Sequence, residues 1–203
     1  MIKTVIFDMG NVLMRFEPHT FIHRLGLSGE DETLLIRNVF RTVEWMQLDR
    51  NTEMSIDEAI VKMQSRLPER LHEAAYQLVK HWDEPLILID GMEELVKALR
   101  EAGYRILLLS NANCRQHEYW ERIPASKYFD GKYLSCDHNL MKPEPAIYHD
   151  FLKWFDLKAE ECVFIDDSPA NIEAAIYCGI RGIIFYGDVE ELKQNLRNLE
   201  ISC

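Results

Sequence analysis

The fold is decided by the stretch VIFDMGNVL, residues 5–13. Its β-branched and aromatic residues end in the carboxylate of Asp8, and Gly10 and Asn11 follow. This pattern predicts a buried strand that opens into a turn. In open α/β sheets ligands bind beyond the carboxyl ends of the strands, so Asp8 is predicted to lie at a reaction centre. A solvated turn aspartate is the alternative, because Asp-x-Gly-Asn also describes ordinary strand exits.

Two later apolar runs also end in polar residues. YRILLLSN (residues 104–111) ends in a hydroxyl and an amide, and CVFIDDS (residues 162–168) contains two adjacent carboxylates near its end. A weaker strand is predicted near residues 133–134, and a last one at residues 182–186. Because strand and helix patterns alternate from residue 85 onward, we predict an α/β fold, with a Rossmann-like parallel sheet and helices on both faces.

Residues 16–84 carry a different pattern. Apolar residues recur there at helical spacing, Ser55 and Glu58 form a predicted capping box, and about four helices are expected. The segment is far longer than an ordinary loop. We therefore interpret residues 1–15 and 85–203 as one α/β core, and residues 16–84 as an inserted helical cap over the sheet edge that carries Asp8. An independent four-helix domain is the alternative.

Composition and charge limit the classes of partner. The 203 residues, 47% of them apolar, suffice for one core with a small appended unit. A net charge of −11 argues against nucleic acid and against an anionic membrane surface. With no run long enough to span a membrane and no secretory pattern at the first residues, we expect a soluble, unexported protein.

The five cysteines are widely spaced and include no Cys-x-x-Cys pair. This arrangement favours free thiols over zinc ligands or disulfides. Free thiols are typical of a reducing compartment, so we expect a cytoplasmic location.

The polar residues at the strand ends have complementary chemistry. In a parallel sheet these ends meet at one edge, where Lys142 is also expected. Carboxylates that converge there repel one another unless a cation is present, and oxygen ligands without histidine or cysteine suit Mg²⁺. A hydroxyl, an amide and an ammonium group suit a phosphoryl group, which leaves Asp8 able to attack phosphorus. The alternative for Asp166-Asp167-Ser168 is that it only caps the following helix.

Four stretches in this order resemble the signature motifs of the haloacid dehalogenase-like (HAD) hydrolase superfamily: FDMGNVL (7–13), LLSN (108–111), KPEPAIY (142–148) and FIDDSPANI (164–172). The likeness covers essentially the whole chain. The inserted helices resemble the C1 cap of that superfamily. Within it, the chain is most similar to bacterial sugar-phosphate phosphatases of the α-D-glucose-1-phosphate phosphatase type.

The resemblance implies a Mg²⁺-dependent phosphatase that acts on a small phosphorylated metabolite through an aspartyl-phosphate intermediate. It also implies a role for each motif residue: Asp8 as nucleophile and metal ligand, the Gly10 carbonyl as metal ligand, Ser110 as phosphate binder with Asn111 beside it, Lys142 as charge stabiliser, and Asp166 and Asp167 as further metal ligands.

One position departs from the family pattern. Phosphatases of the superfamily usually have an acid/base aspartate two residues after the nucleophile, where this chain has Gly10. A 2-haloacid dehalogenase is therefore one alternative, although those enzymes lack the acidic pair at residues 166 and 167. A weakly active protein that binds phosphometabolites or a partner is another. By position alone, candidates for a substitute acid are Arg15, Glu17, His19, Glu44 and Asp49.

Overall fold

The computed structural model describes residues 1–51 and 53–203. Five strands form one parallel sheet: β1 (Thr4–Phe7), β2 (Arg105–Ser110), β3 (Gly131–Leu134), β4 (Cys162–Asp166) and β5 (Arg181–Ile184). Their order across the sheet is β3-β2-β1-β4-β5, which makes β1 the central strand. The predicted α/β class and parallel sheet are confirmed.

The register of the central strands places the acidic residues side by side. Phe7 lies opposite Leu108 of β2 and Ile165 of β4. Asp8 and Asp166 come one residue later on neighbouring strands, so both carboxylates leave the sheet at the same edge. The residues of β1 are buried on both faces of the sheet, which explains why its sequence is an apolar run without alternation.

In the described residues, six α-helices lie between β1 and β2. The first five belong to the segment of residues 16–84: α1 (Pro18–Arg24), α2 (Glu30–Leu35), α3 (Val43–Arg50), α4 (Ile56–Gln64) and α5 (His72–Lys80). The predicted capping box begins α4, where the Glu58 N–H donates to Ser55 Oγ at 3.2 Å. Helix α3 is hard to recognise from apolar spacing because Val43 and Met46 are exposed, so apolar residues occur on two faces. The proposed division into core and cap stays a prediction.

The sixth helix, α6 (Met92–Glu101), directly precedes β2. Five more α-helices of the described residues follow β2: α7 (Gln116–Tyr119), α8 (Ser135–His138), α9 (Pro145–Trp154), α10 (Pro169–Tyr177) and α11 (Val189–Asn198). Side chains of α9 and α10 pack on one face of the sheet, where Phe151 and Ile172 join Phe164. Side chains of α6 and α11 pack on the other face, with Val5 and Phe7. The two-sided packing explains why the sheet is buried.

An aromatic cluster joins the inserted helices to the loop after β1. The ring of Phe16 lies 5.0 Å from that of Trp82 and 5.7 Å from that of Trp45, measured between centroids. Aromatic contacts of this kind add to the stabilisation that burial of their area provides. The cluster therefore fixes the inserted helices above the carboxyl end of the sheet.

Across residues 1–51 and 53–203, no helix is long and apolar enough to cross a bilayer.

Candidate active site

Three carboxylates and one lysine meet at the carboxyl end of the sheet. Oxygens of Asp8, Asp166 and Asp167 all lie within 4.8 Å of one another. Lys142 lies between two of them, with its Nζ 2.8 Å from Asp8 Oδ1 and 2.7 Å from Asp166 Oδ2. The structure thus brings together residues from the first, third and fourth motifs.

The lysine is held by its backbone as well as by its ammonium group. The Asn111 side chain donates to the Lys142 carbonyl and accepts from the Lys142 N–H, both at 2.9 Å. Lys142 Nζ also donates to the Leu109 carbonyl at 3.1 Å. Asn111, which the sequence predicted beside the phosphate, therefore orients Lys142 in this structure.

The two adjacent aspartates have different environments. Asp166 is fully buried, and Oδ1 accepts from the Ser168 N–H at 2.8 Å and from Asn171 Nδ2 at 3.0 Å. Its Oδ2 accepts from Lys142. Asp167 is partly exposed and accepts from Asn11 Nδ2 at 2.9 Å. Asp166 is therefore surrounded by donors, whereas Asp167 faces the solvent side of the site.

Burial and neighbouring charges set the protonation of these groups. Burial raises the pKa of Asp8 to about 6, against the opposing effect of Lys142, and Asp166 adds to the rise. Burial lowers the pKa of Lys142, but the charges of Asp8 and Asp166 outweigh this and the net pKa is raised. The lysine is charged at neutral pH, yet one ammonium faces three carboxylates. This excess of buried negative charge fits a divalent cation held by oxygen ligands.

A cavity of about 220 Å³ opens above these groups. Its floor comes from the ends of β1, β2 and β4, and its opposite wall from the inserted helices. The lining residues are Asp8, Met9, Gly10, Asn11, Met14, Phe16, Trp45, Asp49, Trp82, Ser110, Asn111, Ala112, Asn113, Tyr119 and Asp167. The predicted site residues Asp8, Gly10, Ser110, Asn111 and Asp167 thus share one cavity, and Lys142 and Asp166 lie behind them.

The turn at Gly10 does not need glycine. A Cβ built on this residue would come no closer than 4.0 Å to Phe16 Cβ, and the φ angle of Gly10 is not positive. A Cβ therefore fits without a clash at the position where the family pattern has an aspartate. The missing acid is a property of this sequence and is not imposed by the fold.

Of the five candidates for a substitute acid, Asp49 is the one that lines the cavity. Burial raises its pKa to about 7, although the backbone N–H of Asn113 lowers it by donating to the carboxylate. The other candidates pair elsewhere: Arg15 with Glu17, His19 with Glu32, and Glu44 with Arg66.

Several functional contacts were not predicted from the sequence. Asn11 and Asn171 lie inside the first and fourth motifs and hold the acidic pair in place. Their position within the motifs was the one sequence signal for a role at the site. The groups to which their amides donate depend on the fold and could not be predicted. Trp82 and Tyr119 line the cavity and had no sequence signal beyond their aromatic character.

Known proteins resemble this chain in sequence and in fold. A flavin mononucleotide hydrolase from Arabidopsis thaliana is 28% identical over 56% of this chain, and the match spans 46% of that relative. A phosphorylated carbohydrates phosphatase from Thermotoga maritima is 28% identical over 98% of this chain and 90% of the relative. A HAD family enzyme from Bacteroides thetaiotaomicron, solved with magnesium and inorganic phosphate, has a TM-score of 0.71 at 22% identity, covering 95% of this chain and 99% of that one.

The family match covers most of the chain. Residues 2–179 match the haloacid dehalogenase-like hydrolase family, and this range includes all four motifs. The order of the motifs along the chain and the meeting of their side chains at one sheet edge agree with that match. The chain belongs to the haloacid dehalogenase-like hydrolases.

Proposed function

We propose that this hydrolase is a Mg²⁺-dependent phosphatase that removes the phosphoryl group from a small metabolite through a phosphoryl-Asp8 intermediate. The observation that carries the proposal is the position of Lys142 between Asp8 and Asp166, with Asp167 alongside. The phosphatase from Thermotoga maritima, which matches nearly the whole chain, supports a phosphorylated substrate.

The donor set at the cavity floor fits Mg²⁺. We assign Asp8, Asp167 and the Gly10 carbonyl as its protein ligands. Asp166 was also predicted as a ligand, but its oxygens already accept from Lys142, Ser168 and Asn171, so we assign it to the orientation of Lys142. A bound Mg²⁺ supplies a positive charge that binds a phosphate oxygen and offsets the carboxylates.

The reaction that we derive has two displacements at phosphorus. In the first, a carboxylate oxygen of Asp8 bonds to phosphorus while the bond from phosphorus to the leaving oxygen breaks. Lys142 and the Ser110 hydroxyl stabilise the negative charge on the phosphoryl oxygens. In the second, water attacks the phosphorus of phosphoryl-Asp8, which releases inorganic phosphate and regenerates the carboxylate.

The alternative functions differ in their need for a cation. A dehalogenase displaces halide and gains nothing from three converging carboxylates. In a phosphatase, a bound Mg²⁺ would offset the charge of these carboxylates and of the phosphoryl group. A protein that only binds phosphometabolites would leave Asp8 unmodified. A panel of sugar phosphates, nucleotides, phosphorylated acids and 2-haloacids, tested with and without Mg²⁺, separates the three. Tight binding of phosphorylated compounds without turnover would favour the binding protein.

Metal removal is expected to abolish turnover, and Mg²⁺ is expected to stabilise the folded state. A ligand at 100 times its dissociation constant adds about 2.7 kcal/mol to the free energy of unfolding. Thermal unfolding of EDTA-treated protein, repeated with increasing Mg²⁺, measures this rise. Asp167→Asn should lose most of the Mg²⁺-dependent stabilisation. Asp188→Asn, which changes an exposed helix cap, should retain this stabilisation. Equal turnover of p-nitrophenyl phosphate before and after chelation would contradict the proposed cofactor.

The cavity favours a small substrate. Its volume of about 220 Å³ is below the range of about 300–1,000 Å³ that is typical of drug-sized ligands. Trp45, Trp82 and Phe16 form an apolar wall against which a carbon skeleton can pack. We therefore propose that the inserted helices act as a cap that contacts the leaving group. The net charge disfavours nucleic acid as substrate, and a cytoplasmic location remains our prediction.

We also propose that Asp49 donates the proton that the leaving oxygen needs. It lines the same cavity as Asp8, and it is carried by α3, on the wall opposite the nucleophile. Its raised pKa of about 7 keeps a substantial protonated fraction at neutral pH, as an acid catalyst requires. Because the acid form is lost as the pH rises, turnover of substrates with poor leaving groups should fall above about pH 7.

Asp49→Asn is expected to slow hydrolysis of an alkyl phosphate by about 10²–10⁴-fold, the usual contribution of general acid catalysis. Hydrolysis of p-nitrophenyl phosphate should change little, because nitrophenolate leaves without a proton. The measurement is kcat for both substrates across pH, and the alkaline fall should disappear in the variant. Asp57→Asn, an exposed change in α4, is the matched control.

Gly10→Asp provides the complementary test. A Cβ fits at this position, which lines the cavity, so the substitution should restore alkyl phosphate hydrolysis in the Asp49→Asn background. An equal loss on both substrates in Asp49→Asn, without rescue by Gly10→Asp, would instead indicate that Asp49 has a structural role.

A further inference from the structure

A second group of metal-ligating side chains lies outside the active site. The thiols of Cys114 and Cys136 and a carboxylate oxygen of Asp137 all lie within 4.8 Å of one another. Cys114 follows β2, and Cys136 and Asp137 belong to α8, directly after β3. Because β2 and β3 are paired neighbours in the sheet, their following segments meet in space. The spacing of the cysteines in sequence gave no indication of this.

A fourth donor stands beside the group. His117 Nε2 lies 3.1 Å from the near carboxylate oxygen of Asp137. Cys136 Sγ lies 3.7 Å from that same oxygen. Cys136 is buried, whereas Cys114 is exposed and the side chains of His117 and Asp137 are 44% and 40% exposed. The group is therefore anchored at one end in the core and open to solvent at the other.

The spacing of these atoms suits tetrahedral zinc. With Zn–S bonds of about 2.3 Å and Zn–N or Zn–O bonds of about 2.0–2.1 Å, neighbouring ligand atoms stand about 3.3–3.8 Å apart. The thiols of Cys114 and Cys136 and the Asp137 oxygen, which all lie within 4.8 Å of one another, approach that spacing, and His117 adjoins them through its 3.1 Å contact with Asp137. Two thiolates, an imidazole and a carboxylate are a softer set than the oxygens around Asp8, so this site selects against Mg²⁺.

The local charge also suits a divalent ion. Two thiolates and a carboxylate carry three negative charges, and Lys132 lies close enough that Asp137 and Cys136 raise its pKa, against a larger lowering by burial. One divalent cation and the Lys132 ammonium balance that charge. Without a metal, burial and then the hydrogen bond with Cys114 raise the pKa of the Cys136 thiol, so binding must release protons.

We propose that Cys114, Cys136, Asp137 and His117 form a zinc site that is separate from the catalytic cation site. Four protein ligands close the coordination shell, which is typical of structural zinc. The site would tie the loop after β2 to α8. That junction already contains a hydrogen bond from the Ala112 N–H to Ser135 Oγ at 2.9 Å. Zinc would therefore fix the loop that follows Ser110 and begins at Asn111.

The test is a Zn²⁺ titration of the reduced protein in saturating Mg²⁺, with a chromophoric chelator as competitor. We expect one Zn²⁺ per chain. Cys114→Ser should weaken binding by more than about 100-fold, since changes outside the first coordination shell already weaken it by about 10–100-fold. Cys114 is exposed, so this variant should fold normally. Cys178→Ser, at a cysteine outside the group, is the control and should bind like the wild type.

Two further measurements identify the ligands. Co²⁺ in place of zinc should give a thiolate charge-transfer absorption that Cys114→Ser loses, and Asp8→Asn should leave this absorption unchanged. The proposal is wrong if wild type and Cys114→Ser bind Zn²⁺ equally, or if binding is lost in Asp8→Asn instead. It is equally wrong if the reduced protein binds no Zn²⁺ and Cys114 and Cys136 only form a disulfide under oxidation.

Discussion

Asp8→Asn is expected to reduce turnover by about 10⁵-fold or more, the scale on which removal of a covalent nucleophile acts. Asparagine keeps the shape of the side chain and can still accept a hydrogen bond from Lys142. Its amide oxygen is a poor nucleophile, however, so no phosphoryl-enzyme can form. The substitution therefore separates the chemical role of Asp8 from its role in packing.

The rate of p-nitrophenyl phosphate hydrolysis measures the loss of turnover. Acid quenching of the enzyme during turnover of a substrate with a radiolabelled phosphoryl group measures the covalent intermediate. Wild type should retain label that hydroxylamine releases, as an acyl phosphate does, and Asp8→Asn should retain none. Circular dichroism verifies that the variant is folded. A variant that turns over at the wild-type rate would rule out Asp8 as the nucleophile.

Lys142→Met is expected to lower both the rate of turnover and the stability of the folded protein. Removal of a cation that stabilises a transferring phosphoryl group costs about 10³–10⁵ in rate. The same change leaves Asp8 and Asp166 buried without their ammonium partner, and breaking a buried ion pair on one side costs about 3–5 kcal/mol of stability. Methionine fills most of the volume, so these losses reflect the charge and the hydrogen bonds.

The loss of stability in Lys142→Met should depend on pH. The folded-state pKa of Asp8 is already raised from 3.8 to about 6, and removal of the lysine raises it further. The penalty is absent below the unfolded pKa, where the carboxyl is protonated in both states. It grows as the pH rises from the unfolded pKa to the folded pKa, and it is constant above the folded pKa. Urea unfolding of both proteins at pH 4 and pH 8 measures this, and the difference in free energy of unfolding between wild type and Lys142→Met should be larger at pH 8.

A surface lysine provides the control for this experiment. Lys127 pairs with Glu93 on the protein surface, where its side chain is 60% exposed. Lys127→Met should shift the urea midpoint little, because exposed ion pairs contribute little to stability. If Lys142→Met had the same midpoint as wild type at pH 8, the lysine would not compensate the buried carboxylates.

The architecture of the sheet was predictable because its strands are simple in sequence. The central residues of β1, β2 and β4 are apolar because both faces of the sheet are covered, and polar residues that the site uses stand at or directly after the end of each strand. Helix α3 was less predictable, because exposed apolar side chains obscure its periodicity. The helix that sequence patterns resolved least is also the one that carries Asp49.

The geometry around the site was predictable only in part. The motifs placed Asp8, Lys142 and Asp166 at one edge, and the structure brings them into contact. Asp166 and Asp167 are assigned different roles because hydrogen-bond donors surround only one of the two carboxylates. Tertiary packing decides which carboxylate that is. The same holds for Asp49, whose raised pKa results from burial that no local pattern encodes.

The central position of β1 has a consequence for the local stability of the backbone that carries Asp8. Its amides and carbonyls are hydrogen-bonded to a strand on either side, and its side chains lie in both hydrophobic clusters. Segments in such positions exchange amide hydrogens only when the whole domain unfolds, whereas peripheral helices open locally at much lower free energy. The backbone that carries Asp8 should therefore stay ordered when peripheral helices open locally.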